Sequence, residues 1–444
     1  MASLKALTRL VRDELIQRRQ EGGSVGTVAR RLEALLANPR DDLSEQLEKL
    51  LTRLSKLKIR KGYHYIEPGD LDGIRAQRQQ GFAYSAVRLS QEQLADRILG
   101  AWQGRAAGCL LGKPCEGWSR DKIESYLKRA DAWSLDSYFP YVESLAEEFD
   151  VHPDYRTDGT RGNIKGMMRD DDMDYTVLAL HVLENCGADF TSEDVGRCWL
   201  ELLPYDKTYT AERAAYRNLV NGLIPPATAV HHNPYREWIG AQIRADLWGY
   251  VWPGRPERAA EFAYRDACVS HTANGIYGEM LFAATISAAL VGSDVRAAVD
   301  TGLAQIPERS RLNDAVQFVM KLHTRGLTWQ QAHDAILKKY SDYHRVHTIN
   351  NAALVILALL WGQGDFERTI TIAVMSGLDT DCNGATAGSV MGALLGARGL
   401  PHARWIAPLR DRLTTALSGY HECRLSDLAR RTEAAALQLH RADL

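Results

Sequence analysis

The chain has 444 residues, 45% of them hydrophobic and 25% charged, with a formal net charge of -2. This is the balance of a folded globular protein, and it gives no overall electrostatic reason to expect nucleic acid or an anionic membrane as a partner. The first twenty residues carry charges too often for a signal peptide, and no apolar run reaches the length of a membrane span, so a cytoplasmic protein is expected.

Residues 1–61 stand apart from the rest, with fourteen Lys and Arg against eight Asp and Glu. Leu4, Leu7, Leu10 and Val11, then Leu43, Leu47, Leu50, Leu51, Leu54 and Leu57, recur at helical spacing. Breaks at Gly22-Gly23-Ser24 and Asn38-Pro39 predict three amphipathic helices, their leucine stripes packed on the main body and their basic face solvated. Residues 63–70 read as an extended connector, because Pro68 disfavours helix just before it. The expected division is a helical extension with its connector over 1–90, followed by one domain over 91–444.

From about residue 90 the pattern is helical almost throughout, with apolar stretches at 94–111, 175–183, 259–268, 276–290 and 351–360. Period-two alternation bounded by tight turns is scarce, so no sheet is expected and the fold class is all-α. Gly100, Gly104, Gly108 and Gly112 lie four apart, which leaves one bare stripe along a helix where a second backbone can approach closely. The seven cysteines contain no CxxC pair, which argues against a disulfide framework or a thiolate zinc site.

Two acidic clusters carry the chemistry. Asp170-Asp171-Asp172-Met173-Asp174 leads into the apolar stretch beginning Val177, and Asp379-Thr380-Asp381-Cys382-Asn383-Gly384 leads into the small-residue run 385–395. A carboxylate at a helix start gains about 0.3–1 kcal/mol from the helix dipole, which explains one or two acids per cluster and leaves the others over. Several carboxylates with few nitrogen donors suit Mg²⁺ or Mn²⁺. Spacing alone leaves open both a shared site for hard cations and two independent helix caps. An EF-hand fails because Val390 stands where a bidentate Glu belongs. A phosphate loop around Gly112-Lys113 fails at Ala107 and lacks a Ser or Thr after the lysine.

Four stretches taken together resemble the ADP-ribosylglycohydrolase family, of the dinitrogenase-reductase-activating type. They are 97–117 (RILGAWQGRAAGCLLGKPCEG), 170–176 (DDDMDYT), 270–290 (SHTANGIYGEMLFAATISAAL) and 376–396 (SGLDTDCNGATAGSVMGALLG). The resemblance implies a compact multi-helix core with two Mg²⁺ ions, or Mn²⁺ in their place, between interhelical loops. The ligands it implies are Asp170, Asp171 and Asp172 from the first loop, with Asp379, Asp381 and Cys382 from the second. Glu116 would lie near the scissile bond, with Asp171 and Asp174 as further catalytic acids. His271, Asn274 and Gly377 would lie against the ligand. Arg236, Trp238 and Arg244 have the chemistry to recognise a pyrophosphate and a base.

The chain departs from the family pattern at Asp170 and Cys382, where threonine is common, and at Cys109, where aspartate is common. Residues 1–61 lie outside the resemblance. The implied activity is hydrolysis of the anomeric ribose bond of an ADP-ribosylated protein side chain or small acceptor, releasing ADP-ribose. Hydrolysis of a free nucleoside or ribosylated metabolite at the same site is one alternative. A catalytically silent ADP-ribose binder is another.

Overall fold

The computed structural model describes residues 3–39, 41–79, 89–152 and 154–442. Three helices open the chain: α1 (Leu4–Gln20), α2 (Gly26–Ala37) and α3 (Leu43–Ser55). Ser3 caps α1 by accepting from the Ala6 amide at 3.2 Å. Leu7, Val11, Leu15, Leu32, Leu47 and Leu54 bury against one another in a cluster separate from the main core. Contrary to the expectation from the sequence, the leucine stripes therefore do not pack chiefly on the main body. Three short amphipathic helices bury one another's apolar faces, and the polar edge of α1 meets the body instead. Glu14 and Glu21 clamp the buried Arg236 guanidinium at 2.7 and 2.8 Å, and Gln17 donates to Glu237 at 2.7 Å. The connector is held as firmly. Glu67 accepts from Arg311 Nε and Nη2 at 3.0 and 2.8 Å, and the Ile66 amide donates to the Arg309 carbonyl.

The body is built on α4 (Gln91–Gly112), α5 (Asp171–Cys186), α6 (Asn274–Ala289), α7 (Thr348–Gly362), α8 (Thr380–Leu395) and α9 (Leu425–Ala442), numbered here among shorter helices that surround them. Ser90 and Gln93 form a reciprocal capping box that starts α4. Every residue of α6 and α7 is buried, the mark of helices at the centre of a core rather than on its surface. Two strands of two residues each, β1 (Leu413–Thr414) and β2 (Glu422–Cys423), pair antiparallel ahead of α9. This ladder was not expected from the sequence. It closes a turn and adds no layer. No helix among the described residues is long and apolar enough to cross a membrane.

The glycine stripe of α4 faces a second one on α8, and the two helices run antiparallel. Gly100, Gly104 and Gly108 oppose Gly392, Gly388 and Gly384, and Gly112 opposes Thr380. A β-carbon on any of the four α4 glycines would fall no more than 2.5 Å from a backbone carbonyl oxygen of the opposing segment. The stripe fixes the end of α4 against the start of α8. That junction brings the functional loops together.

Candidate active site and metal centre

Past Gly112, α4 tightens into a single 3₁₀ turn, Lys113–Cys115, and delivers Glu116. The next residues are stitched to the loop ahead of α8. The Gly117 amide donates to the Leu378 carbonyl at 2.7 Å, and the Leu378 amide donates back to Trp118 at 2.9 Å. Gly377 sits at φ 75°, and a β-carbon there would come 2.6 Å from the Trp118 carbonyl oxygen, so only glycine fits. Leu378 is held at φ 65°, an uncommon conformation for a bulky residue, directly before Asp379. Thr380 Oγ1 donates to the Gly112 carbonyl at 2.7 Å. These bonds hold Glu116 beside Asp379 and Asp381.

Among the described residues, three overlapping groups offer ligand atoms within 4.8 Å of one another: Cys109–Asp170–Asp172, Asp172–Asp381–Cys382 and Glu116–Asp379–Asp381. Asp172 Oδ2 and Asp381 Oδ1 are buried without a hydrogen-bond partner. Buried carboxylate oxygens left bare are costly, and an oxygen-rich donor set of this kind fits a hard divalent cation. Asp381 is common to two groups and so links the two acidic loops.

The electrostatics follow from crowding. Burial, then Glu116, raises Asp379 to about 7, and the same two causes push Asp381 well above the usual carboxylate range. Asp172 is also pushed well up, by burial and then by Asp170. Burial works against ionisation at Asp170 too, but the Lys113 ammonium, which donates to its Oδ2, together with Arg169 and the Asp172 amide holds it below its ordinary value. Glu116 is the exposed member, raised first by desolvation and then by Asp170. Burial raises the thiols of Cys109 and Cys382, followed by Asp170 and by Asp172 respectively. Both stay protonated, which makes Cys382 a weak ligand for Mg²⁺.

The structure distributes the other expected site residues unevenly. Asp170 caps α5, accepting from the Asp172 amide at 3.0 Å. Asp171 opens α5 half-buried, and it belongs to none of the three groups. Asp174 is taken up elsewhere: its two oxygens accept from Arg169 Nε at 2.9 Å and from the Ala416 amide at 3.0 Å, which ties α5 to the segment after β1. With both oxygens engaged, Asp174 is a structural tie rather than the free acid expected. His271 is fully buried and receives or donates one bond at Nδ1 with Ser270 Oγ (2.8 Å), while Nε2 has no partner. Burial and then Arg244 depress its pKa, so the ring is neutral.

Asn274 and Arg244 have little left to offer a ligand. Asn274 donates to Glu67 and Glu237 and accepts from the Leu312 amide. Arg244 is spent on Glu212, Ser270 and Asp266. Arg236 is likewise consumed by Glu14 and Glu21.

Sequence reasoning missed three supports. Arg105, wholly buried, donates to Asp246 Oδ2 and the Asp172 carbonyl, both at 2.7 Å, and so orients the first loop. Its signal was available: a lone charge inside a Gly/Ala stripe demands a buried partner. Lys113 neutralises Asp170. Asn351 Oδ1 accepts from Asn383 Nδ2 at 2.9 Å and from the Asp379 amide at 3.3 Å, joining α7 to the second loop.

Comparison with known proteins covers most of the body. A family model described as ADP-ribosylglycohydrolase matches residues 90–440. A solved structure titled "ADP-ribosylglycohydrolase-related protein complex" is similar at 20% identity and a TM-score of 0.47, covering 80% of this chain and 100% of that one. No curated protein matches the chain.

Proposed function

The chain belongs to the ADP-ribosylglycohydrolase family, and from that premise we propose that it hydrolyses the anomeric ribose bond of an ADP-ribosylated protein side chain or small acceptor, releasing ADP-ribose. The observation that carries this reading is the meeting of Glu116 with Asp379 and Asp381, next to Asp172, with buried carboxylate oxygens left bare. Asp379 and Asp381 would hold one divalent cation, with Glu116 beside it, and Asp172 and Asp381 a second with Cys382 as a weak third donor, Mg²⁺ or Mn²⁺ in each case. Such ions, when bound, supply Lewis-acid polarisation and a template for vicinal hydroxyls.

The chain's own groups do the rest. Glu116, exposed at the lip, exchanges a proton with incoming water or the departing acceptor. Asp171, half-buried at the start of α5, supplies an outer carboxylate. Lys113 and Arg105 are positioning residues, fixing Asp170 and Asp172. His271, neutral in its buried setting, and the loop at Gly377 would lie against the ligand, as the family resemblance implies.

The test is release of ADP-ribose from ADP-ribosylated protein and from small ADP-ribosyl conjugates, with Mg²⁺, with Mn²⁺ and with chelator. Release is expected with either metal and none with chelator, and Glu116→Gln should lose about a hundredfold or more in rate. A folded, metal-loaded protein that releases nothing from any of these substrates overturns the reading.

A further inference from the structure

The three ligand groups are not equivalent, because one of them already holds a cation. The Lys113 ammonium donates to Asp170 Oδ2, and Asp170 Oδ1 accepts from the Asp172 amide at 3.0 Å. Both oxygens of this buried carboxylate are therefore engaged within the protein. Asp172 and Asp381 differ, since each keeps one buried oxygen with no hydrogen-bond partner. A divalent ion supplies what those two oxygens lack and nothing that Asp170 lacks.

The backbone fixes the ammonium in this place. Lys113 follows Gly112 at the start of the 3₁₀ turn, one helical turn after Cys109, so thiol and ammonium lie on the same side of the end of α4. Gly112 is pressed on Thr380, where a β-carbon would come 2.1 Å from the carbonyl oxygen, so the segment carrying Lys113 has no room to withdraw. The lysine side chain is only 13% exposed, and its charge also faces Asp381 and Cys109. A divalent ion in the Cys109–Asp170–Asp172 group would share Asp170 with this ammonium, like charge against like charge, in a buried setting that salt does not screen. In exchange it would gain a single thiol, a poor donor for a hard cation.

We propose that Lys113 is a built-in cation that closes the Cys109–Asp170–Asp172 group to divalent ions, so that Asp170 is not a metal ligand and the metals are confined to the two groups sharing Asp381. The ammonium also keeps the first acidic loop in shape whether or not metal is bound. The proposal rests on the metal-dependent reading of the site, but on no particular substrate.

The experiment is Mn²⁺ titration of the full chain by calorimetry, with bound ions counted by equilibrium dialysis. It compares the wild type, Lys113→Met, and Lys113→Met combined with Asp170→Asn. Lys113→Met frees Asp170 and should bind about one more Mn²⁺ per chain than the wild type. The double variant exchanges the ion pair for neutral groups of similar size, which spares the fold an unpaired buried charge, and should return to the wild-type count. An unchanged count in Lys113→Met, an extra ion that survives Asp170→Asn, or a wild type that binds no Mn²⁺ overturns the proposal. If Lys113→Met alone does not fold, the double variant decides: a count below wild type makes Asp170 a ligand and overturns the proposal, and a wild-type count upholds it. The expected counts without ADP-ribose release from any substrate uphold the proposal and overturn the hydrolase reading. Release by the wild type with any other pattern of counts does the reverse.

Discussion

Replacing Gly108 by alanine tests the architecture at its narrowest point. A β-carbon there would lie 2.5 Å from the Gly384 carbonyl carbon and 3.3 Å from the Ala385 nitrogen, all of it backbone that cannot rotate aside. Carbon atoms rest at about 3.5–4 Å, so α4 and α8 would have to part by roughly 1 Å. Overpacking of this kind costs about 1–3 kcal/mol. Parting the helices also strains the Thr380–Gly112 hydrogen bond, worth about 1 kcal/mol. Against this, alanine gains about 1 kcal/mol over glycine in helix propensity. The balance is a net loss of about 1–3 kcal/mol, read from the urea midpoint at unchanged slope. Gly26→Ala is the control, because nothing lies within 4 Å of a β-carbon at that position and only propensity changes. A Gly108→Ala protein as stable as the wild type would refute the close approach of the two helices.

Three further outcomes are expected. Arg236→Ala leaves Glu14 and Glu21 without their buried partner and should cost about 3–5 kcal/mol in urea unfolding; a change under 1 kcal/mol would mean that the clamp is not formed. Asp381→Asn removes the carboxylate shared by two ligand groups, so Mn²⁺ titration should show no tight site while the circular dichroism spectrum is unchanged. Glu212, buried beside Arg244, is raised from 4.5 to about 7, with burial the main cause. Between those values the folded state holds a proton that the unfolded state has lost, so this group's stabilising effect is full below pH 4.5 and falls as pH rises to about 7. Glu212→Gln should flatten the stability profile in that window, and an unaltered slope would place the titration elsewhere.

Periodicity made the helices legible, and the four-residue glycine spacing foretold a close helix pair, because both are local properties of a regular backbone. The partner of that stripe was not legible, since Gly384, Gly388 and Gly392 become its complement only through folding. The acidic clusters announced themselves by excess charge. What spacing could not decide was how their members divide the work: Asp174 lies one helical turn after Asp170, yet Arg169 and the Ala416 amide consume it. Arg236 and Arg244 looked like ligand groups for the same reason that they turned out occupied, since a guanidinium that suits a phosphate equally suits two carboxylates. The expected leucine contacts of residues 1–61 failed because three stripes can satisfy one another. Nothing in a stripe names its partner.

The junction of α4 and α8 also governs when the site can exist during synthesis. Gly112 and Thr380, joined by a hydrogen bond, stand 268 residues apart in the chain. At ribosomal rates of about 5–20 residues per second, roughly 15–50 s separate their emergence. Through that interval α4 has been made without the helix that covers its bare glycine face, and Glu116 without Asp379 or Asp381. Chains that stop early should be captured by chaperones or degraded along this uncovered groove, and competence to bind metal should arise late and all at once.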